Sequence, residues 1–149
     1  MRTHNVCPTA IARIQGTEKY SKLWGETRFY QQKQSVLVEV IVWGLPDNNP
    51  SGFFGMHIHE GEKCAGEGLS ETKGHYNPAA VSHPNHAGDL PPLIRCCGGA
   101  YLSFRTDRFC VRDIVGRTIV IHGKRDDFLS QPAGDAGEKI ACGVICRGK

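Results

Sequence analysis

The sequence lacks several features, and each absence excludes a class of protein. No hydrophobic run approaches the ~20 residues that a helix needs to cross a bilayer, which excludes a protein with membrane-spanning helices. There is no lysine/arginine block and the net charge is only +3, so we expect no nucleic-acid partner. Hydrophobic residues make up 40%, too many for a wholly disordered chain. Internal repeats are also absent, and the length of 149 residues predicts one domain over residues 1–149.

The N-terminal segment MRTHNVCPTAIARIQG has no continuous apolar stretch of the kind found in secretory signal peptides. We therefore expect a cytoplasmic protein, or a secreted or periplasmic one if a signal has been removed. Seven cysteines form an odd set, so at least one thiol stays unpaired within the chain.

Short strand-like segments separated by turns dominate the chain and predict an antiparallel β-sandwich or β-barrel. No segment has a capped apolar stripe of helical period. Two long stretches, 61–94 and 123–138, do not fit as strands, and loops of this length in compact domains are usually functional. The predicted strands are Thr9–Ile14, Glu26–Gln32, Ser35–Trp43, Phe53–His59, Ala100–Phe104, Phe109–Asp113, Arg117–His122 and Lys139–Ile145.

Six of the seven histidines lie between residues 57 and 122, and three of them fall on predicted strands. His57 and His59 are two residues apart, so in a strand both rings project from the same face. With His122 and His75 they would supply four imidazole nitrogens, a set that suits Cu(II) and also zinc, iron or nickel. Taken alone, the pair is equally well explained as two ordinary strand histidines.

The first long loop carries a second group of potential ligands. His75, His83, His86 and Asp89 lie within fifteen residues of each other. Three imidazoles and one carboxylate can form the closed tetrahedral set of a structural zinc site. The alternative is a polar loop that happens to be rich in histidine.

Four segments, in this order, resemble the copper/zinc superoxide dismutase family, and the similarity runs from about residue 52 to residue 146. They are GFFGMHIHEGEKC, GHYNPAAVSHPNHAGDLPPL, IVGRTIVIHGKRDD and AGEKIACGVI. The resemblance implies an all-β, eight-stranded Greek-key β-barrel or sandwich, immunoglobulin-like, with two long functional loops. It also implies copper and zinc as cofactors.

The resemblance implies a role for further residues around the two ligand groups. Asp126 would hydrogen-bond one copper-ligating and one zinc-ligating imidazole, and Cys64 and Cys142 would form the intrachain disulfide. The ring of His75 would bridge the two metals. The implied copper ligands are His57, His59, His75 and His122, and the implied zinc ligands are His75, His83, His86 and Asp89.

The implied activity is conversion of superoxide to molecular oxygen and hydrogen peroxide by Cu(II)/Cu(I) cycling, with structural zinc. His75 and Lys139 would be the catalytic residues: His75 as the source of a proton and Lys139 as the cation that guides superoxide. Lys139 stands where the family has an arginine and Ala133 where it has a threonine, which puts substrate steering in doubt. Lys124 and Arg125 could compensate. The resemblance allows a monomer or a homodimer.

Two other functions fit the same residues. One is a non-catalytic copper/zinc-binding, metal-handling domain of the same fold, favoured by Lys139, Ala133 and the surplus thiols Cys7, Cys96, Cys97, Cys110 and Cys146. In that case the adjacent Cys96 and Cys97 could hold Cu(I). The other is a zinc-only β protein such as a hydrolase, which would leave Asp126 and the shared His75 without a purpose.

Overall fold

A computed structural model describes residues 6–149 and shows an all-β architecture built on one curled antiparallel sheet. His4, the histidine outside both predicted metal sets, lies outside the described residues. The sheet has seven strands in the order β5–β8–β9–β1–β2–β3–β7, and β4 pairs with β6 in a second, small sheet. The strands are β1 (Ala10–Gly16), β2 (Trp24–Gln31), β3 (Val36–Trp43), β4 (Phe53–Phe54), β5 (Met56–His59), β6 (Leu93–Ile94), β7 (Gly99–Thr106), β8 (Thr118–His122) and β9 (Lys139–Arg147).

Alternation of apolar residues builds the core from these strands. In β3, four valines at every second position are buried, while the residues between them face outward. Trp24 and Trp43 pair on this outer face, stacked with ring centroids 4.5 Å apart. Met56 and Ile58 of β5 point into the same core, which leaves the alternate positions, His57 and His59, for the site.

Gly55 alone separates β4 from β5. The predicted strand Phe53–His59 is therefore a continuous extended segment whose first part pairs in the small sheet and whose second part pairs in the large one. Counted as one strand, β4 and β5 bring the total to eight, which confirms the predicted fold class. The eighth strand is not the predicted segment Phe109–Asp113, however, but β6, whose two residues lie at the end of the first long loop.

The prediction of a strand at Phe109–Asp113 is wrong, because a short helix, α1 (Val111–Ile114), lies there. The backbone N–H of Cys110 donates to the Asp113 carboxylate at 3.1 Å, which caps the first turn. Val111 and Ile114 are both buried, and this spacing of three is helical. Phe109 and Val111 alternate as in a strand, and that explains the error. No helix among residues 6–149 is long and apolar enough to span a membrane.

The disulfide between Cys64 and Cys142 is present and ties the first loop to β9. Cys142 is buried beside Val120 of β8, the strand that ends at His122. A register shift between Ile121 and His122 then sets His122 opposite Lys139. The disulfide fixes the first loop against β9, and the register shift sets the position of His122 at the end of β8.

Replacing both bridged cysteines, as Cys64→Ser with Cys142→Ala, should lower the free energy of unfolding by about 4–5 kcal/mol. The physical reason is the loss of a cross-link that closes 78 residues in the unfolded chain. Urea unfolding followed by circular dichroism measures the change. The exposed, unpaired Cys110→Ser variant serves as the control and should match the parent. Equal midpoints for all three proteins would contradict the prediction.

Candidate metal centre

The first loop runs along the free edge of β5, and this brings the loop ligands to the strand ligands. Ile58 accepts a hydrogen bond from the Tyr76 N–H, and its own N–H donates to Gly88, each at 2.8 Å. Bridges between His57 and Asp89 and between His59 and His75 result. Gly88 is required here, because a Cβ at this position would overlap the Ile58 carbonyl. Backbone pairing therefore places residues between 16 and 32 positions apart side by side.

Six imidazoles and two carboxylates form one buried cluster. His57 stacks on His75 with ring centroids 3.9 Å apart, and the His57 and His122 rings are 4.8 Å apart. One group of four side chains, His57, His59, His75 and His122, has one potential ligand atom from each within 4.8 Å of the others. A second group with the same property consists of His57, His75, His83 and Asp89.

His86 joins the second group from the side of Asp89. Its Nδ1 lies 3.2 Å from His75 Nδ1 and 3.2 Å from Asp89 Oδ2, and its backbone N–H donates to the same carboxylate oxygen at 2.9 Å. His83 Nδ1 is 3.0 Å from that oxygen. The structure thus brings together every side chain predicted as a metal ligand, around two points that share His75.

The carboxylate of Asp126 connects the two groups from behind. His57 Nε2 donates to Oδ2 at 2.7 Å, and His83 Nε2 donates to Oδ1 at 2.8 Å. The Phe128 N–H also donates to Oδ1, at 2.8 Å. Carboxylates in this position hold ligand rings in one orientation and one tautomer. The free nitrogen of each ring is then Nδ1.

The unpaired nitrogens of the cluster are a test of whether the residues fit a metal. Among the described residues, His57 Nδ1, His75 Nε2 and His83 Nδ1 are buried without a hydrogen-bond partner. Groups of this kind are rare in folded proteins because they cost free energy unless something binds them. A cation bound between the rings would satisfy all three nitrogens.

The Nε2 atoms of His59 and His122 indicate more directly that the cluster fits a metal. His59 Nδ1 donates to the Lys73 carbonyl at 2.8 Å, and His122 Nδ1 donates to the Gly137 carbonyl at 3.3 Å. The Nε2 atoms of His59 and His122 therefore keep their lone pairs, although they are 3.1 Å apart. Two lone pairs facing each other repel unless a cation lies between them. The donor set fits a nitrogen-bound metal.

Burial lowers the pKa of four of these imidazoles and favours their neutral form, which is the form that binds metals; they are His57, His59, His86 and His122. Desolvation, together with repulsion from neighbouring imidazolium charge, lowers the pKa of His59 to about 2 and that of His122 to about 3. Burial opposes ionisation of Asp126 too, but the hydrogen bonds from His57, His83 and Phe128 outweigh it and lower the pKa of this carboxyl. Neutral rings and ionised carboxylates therefore coexist at neutral pH.

A cleft of about 600 Å³ opens onto the cluster. His59, His75 and His122 line it from inside, and Lys139 and Ala133 from the rim. Lys139 Nζ donates to Thr72 Oγ1 at 2.8 Å and to the Lys73 carbonyl at 3.0 Å, and burial lowers the pKa of this ammonium. Lys124 and Arg125 are exposed and do not line the cleft.

Three residues of the site escaped the sequence analysis. Gln131 clamps the first loop, because its amide accepts from the His83 N–H at 2.9 Å and donates to the His83 carbonyl at 2.7 Å. Gly134 packs against Asp126 at φ +70°, and a Cβ there would overlap the carboxylate. Lys73 acts through its backbone carbonyl. Gly134, the first glycine in the run AGDAGEK, was the one available signal. Neither an amide side chain nor a backbone carbonyl stands out in a sequence.

Comparison with known proteins agrees with the fold and identifies a family. Residues 23–145 match the model of the copper/zinc superoxide dismutase family. The chain is 32% identical over 151 residues to superoxide dismutase [Cu-Zn] 2 of Aquifex aeolicus, covering 91% of this chain and 85% of that protein. It is 34% identical over 153 residues to superoxide dismutase [Cu-Zn] of Schizosaccharomyces pombe, covering 91% and 96%.

A solved structure shows the same fold. A double mutant of a SOD-like protein from Bacillus subtilis superposes with a TM-score of 0.78 at 24% identity, over 91% of this chain and 96% of that one. The β-barrel and the histidine cluster define a metal-binding protein. The chain belongs to the copper/zinc superoxide dismutase family.

The free energy of unfolding of the metal-free protein should fall as the pH falls below about 6.5. The unfolded chain binds a proton on each histidine there, whereas folded His59 and His122 take none until pH about 2 and about 3. Each contributes about 1.4 kcal/mol per pH unit between these limits. Urea unfolding at pH 7, 6 and 5 measures the slope. The control is a His59→Gln/His122→Gln variant, whose slope should be shallower, and equal slopes would contradict the explanation.

Proposed function

We propose that this protein dismutes superoxide, converting two superoxide ions and two protons to molecular oxygen and hydrogen peroxide. Copper would be held by His57, His59, His75 and His122. Zinc would be held by His75, His83, His86 and Asp89. His57 and His75 belong to both groups of potential ligands. The observation that carries the proposal is the position of the His75 ring, because its Nδ1 lies beside Asp89 and His86 while its Nε2 has no partner.

The two nitrogens of His75 face different partners. Nδ1 lies 2.8 Å from Asp89 Oδ1 and 3.2 Å from His86 Nδ1, whereas the buried Nε2 has no hydrogen-bond partner. We assign His86 rather than His57 to the zinc set. His57 has a single free nitrogen, Nδ1, and can bind only one metal. His86 Nδ1 lies 3.2 Å from both His75 Nδ1 and Asp89 Oδ2. A ring that faces both groups of ligands supports a single site in which two metals share His75, rather than two independent metal sites.

Bound copper would supply the one-electron exchange with superoxide that zinc, which has no redox chemistry, cannot supply. The protein's part is to hold the rings. Each of the rings of His57, His59, His83 and His122 has one nitrogen engaged by a carboxylate or a carbonyl, which leaves a single nitrogen free on each. The set therefore does not have to rearrange to bind.

The reaction also requires protons, because superoxide leaves as hydrogen peroxide. His75 lines the cleft and its Nε2 is free of other partners, so this atom can hold a proton close to the place where the product forms. Asp89 Oδ1 accepts a hydrogen bond from His75 Nδ1–H at 2.8 Å, which leaves the lone pair on Nε2 as the position that can take up a further proton.

Lys139 would draw the anionic substrate into the cleft. Its ammonium lines the cleft together with the histidines, and two of its three N–H bonds are engaged by Thr72 and by the Lys73 carbonyl. One N–H remains for the anion. An arginine would offer a planar set of five donors, so the lysine supports attraction of the substrate better than precise binding.

The direct test joins metal content to activity on one sample. Protein loaded with one copper and one zinc per chain should dismute superoxide well above the rate in buffer. His122→Ala should lose at least about 100-fold, since even groups behind the ligands are worth roughly 10- to 100-fold. Stopped-flow decay of superoxide and metal analysis give the two readouts, and His4→Ala is the matched control. Full occupancy without activity would instead favour the non-catalytic, metal-handling function.

Lys139→Gln should lower the second-order rate constant by about tenfold or more, because steering by cationic side chains is worth roughly 10- to 1,000-fold. It should also weaken the dependence of the rate on ionic strength, since salt screens the same attraction. Lys139→Arg should keep both. The control is Lys124→Gln, which removes an equal charge outside the cleft. An unchanged rate in Lys139→Gln would show that this ammonium does not guide the substrate.

A further inference from the structure

The turn between β6 and β7 carries two adjacent thiols that share no residue with the histidine cluster. Cys96 and Gly99 close the turn, with the Cys96 N–H donating to Gly99 at 2.8 Å and the Gly99 N–H donating back at 3.0 Å. Cys97 and Gly98 form its tip at φ +53° and +82°. These are the dihedral signs of the type I′ turn that fits a two-residue hairpin.

The tip is an unfavourable place for cysteine. Positive φ at the first tip position is usually met by asparagine, aspartate or glycine, and a Cβ there costs free energy. Residues held in such backbone regions concentrate at functional sites. Compared with the residues usually found at this position, Cys97 offers a thiol group.

The two thiols face each other in solvent. Cys96 Sγ and Cys97 Sγ are 3.7 Å apart, both residues are exposed, and neither forms a disulfide. Among residues 6–149, no group of three potential metal-binding side chains includes either one, so the pair stands without a third ligand. The hydrogen-bonded turn presents two sulfur atoms at a set separation.

We propose that Cys96 and Cys97 bind a thiophilic cation, Cu(I), as a site separate from the histidine cluster. In a tetrahedral thiolate site, metal–sulfur bonds of about 2.3 Å place two sulfurs about 3.8 Å apart, close to the separation found here. Thiolates select soft ions such as Cu(I), whereas the imidazole set suits Cu(II) and zinc. With two ligands from the protein, the other positions stay open to a thiol that delivers or removes the ion.

Binding should be stronger at higher pH. Contact with Cys97 raises the pKa of the Cys96 thiol, so a metal ion has to displace the proton of this thiol when it binds. Among the described ionisable groups close to the turn is the Arg95 guanidinium, whose Nη2 lies 4.0 Å from the position of a Cβ on Gly98.

The test uses the full chain with copper and zinc already bound, so that the histidines are occupied. Without oxygen, Cu(I) is titrated in competition with the chromogenic chelator bicinchoninate. We expect one additional Cu(I) per chain, and at least about tenfold weaker binding after Cys96→Ser/Cys97→Ser, because the variant loses both soft ligands. Cys110→Ser and Cys146→Ser remove exposed thiols elsewhere and should change nothing. Alkylation with iodoacetamide, mapped by mass spectrometry, should show Cys96 and Cys97 protected by Cu(I).

Three results would overturn the proposal. The double serine variant could bind the additional ion as tightly as the parent, or the loss could follow Cys110 or Cys146. A thiol count of three instead of the expected five before titration, with Cys96 and Cys97 as the two residues that iodoacetamide does not alkylate, would show that these two thiols are already oxidised. Dismutase activity should be equal in the double variant and the parent, so this proposal can fail while the proposed function stands.

Discussion

The contact on which the rest of the site depends is the double hydrogen bond to Asp126. One carboxylate oxygen holds His57 of β5 and the other holds His83 of the first loop, while Asp126 itself belongs to the second loop. Three separate parts of the chain therefore meet at one side chain. The absence of a Cβ at Gly134 allows the second loop to pack this closely, so the geometry of both ligand groups depends on a glycine that binds nothing.

This arrangement is unfavourable without metal and favourable with it. Burial lowers the pKa of His57 and so disfavours its protonation, and the unpaired nitrogens of His57, His75 and His83 have no other partner among the described residues. A metal ion supplies the missing contacts and so contributes its binding free energy to folding. The Cys64–Cys142 disulfide stabilises the same loop without metal, because it restricts the unfolded chain. Metal binding and the disulfide both stabilise the first loop, which has few hydrophobic residues of its own to hold it in place.

Much of the fold could be predicted from the sequence, and the failures have physical causes. β3 could be predicted because it is a long run of β-branched and other apolar residues, whereas Phe109–Asp113 alternates over two residues and then follows a helical spacing to Ile114. β6 has two residues, too few for any period. The ligand types of the site could be predicted because histidine is rare and clustered. Gln131 and the Lys73 carbonyl could not, because contacts made by a backbone or by a common amide leave no pattern.

The Lys73 carbonyl connects the Lys139 ammonium to the ring of His59, one of the candidate copper ligands. It accepts from His59 Nδ1 at 2.8 Å and from Lys139 Nζ at 3.0 Å, so the ring and the ammonium are fixed to one oxygen atom. To present that oxygen, Lys73 adopts φ +61° and ψ −153°, a region that is normally occupied by glycine and that costs about 1–3 kcal/mol. The segment that bears this strain follows the disulfide at Cys64 and leads directly to His75. The Lys139 ammonium donates to the same oxygen that holds the His59 ring, so its movement would disturb that ring. The shared oxygen explains how a flexible lysine side chain can be held at a defined place.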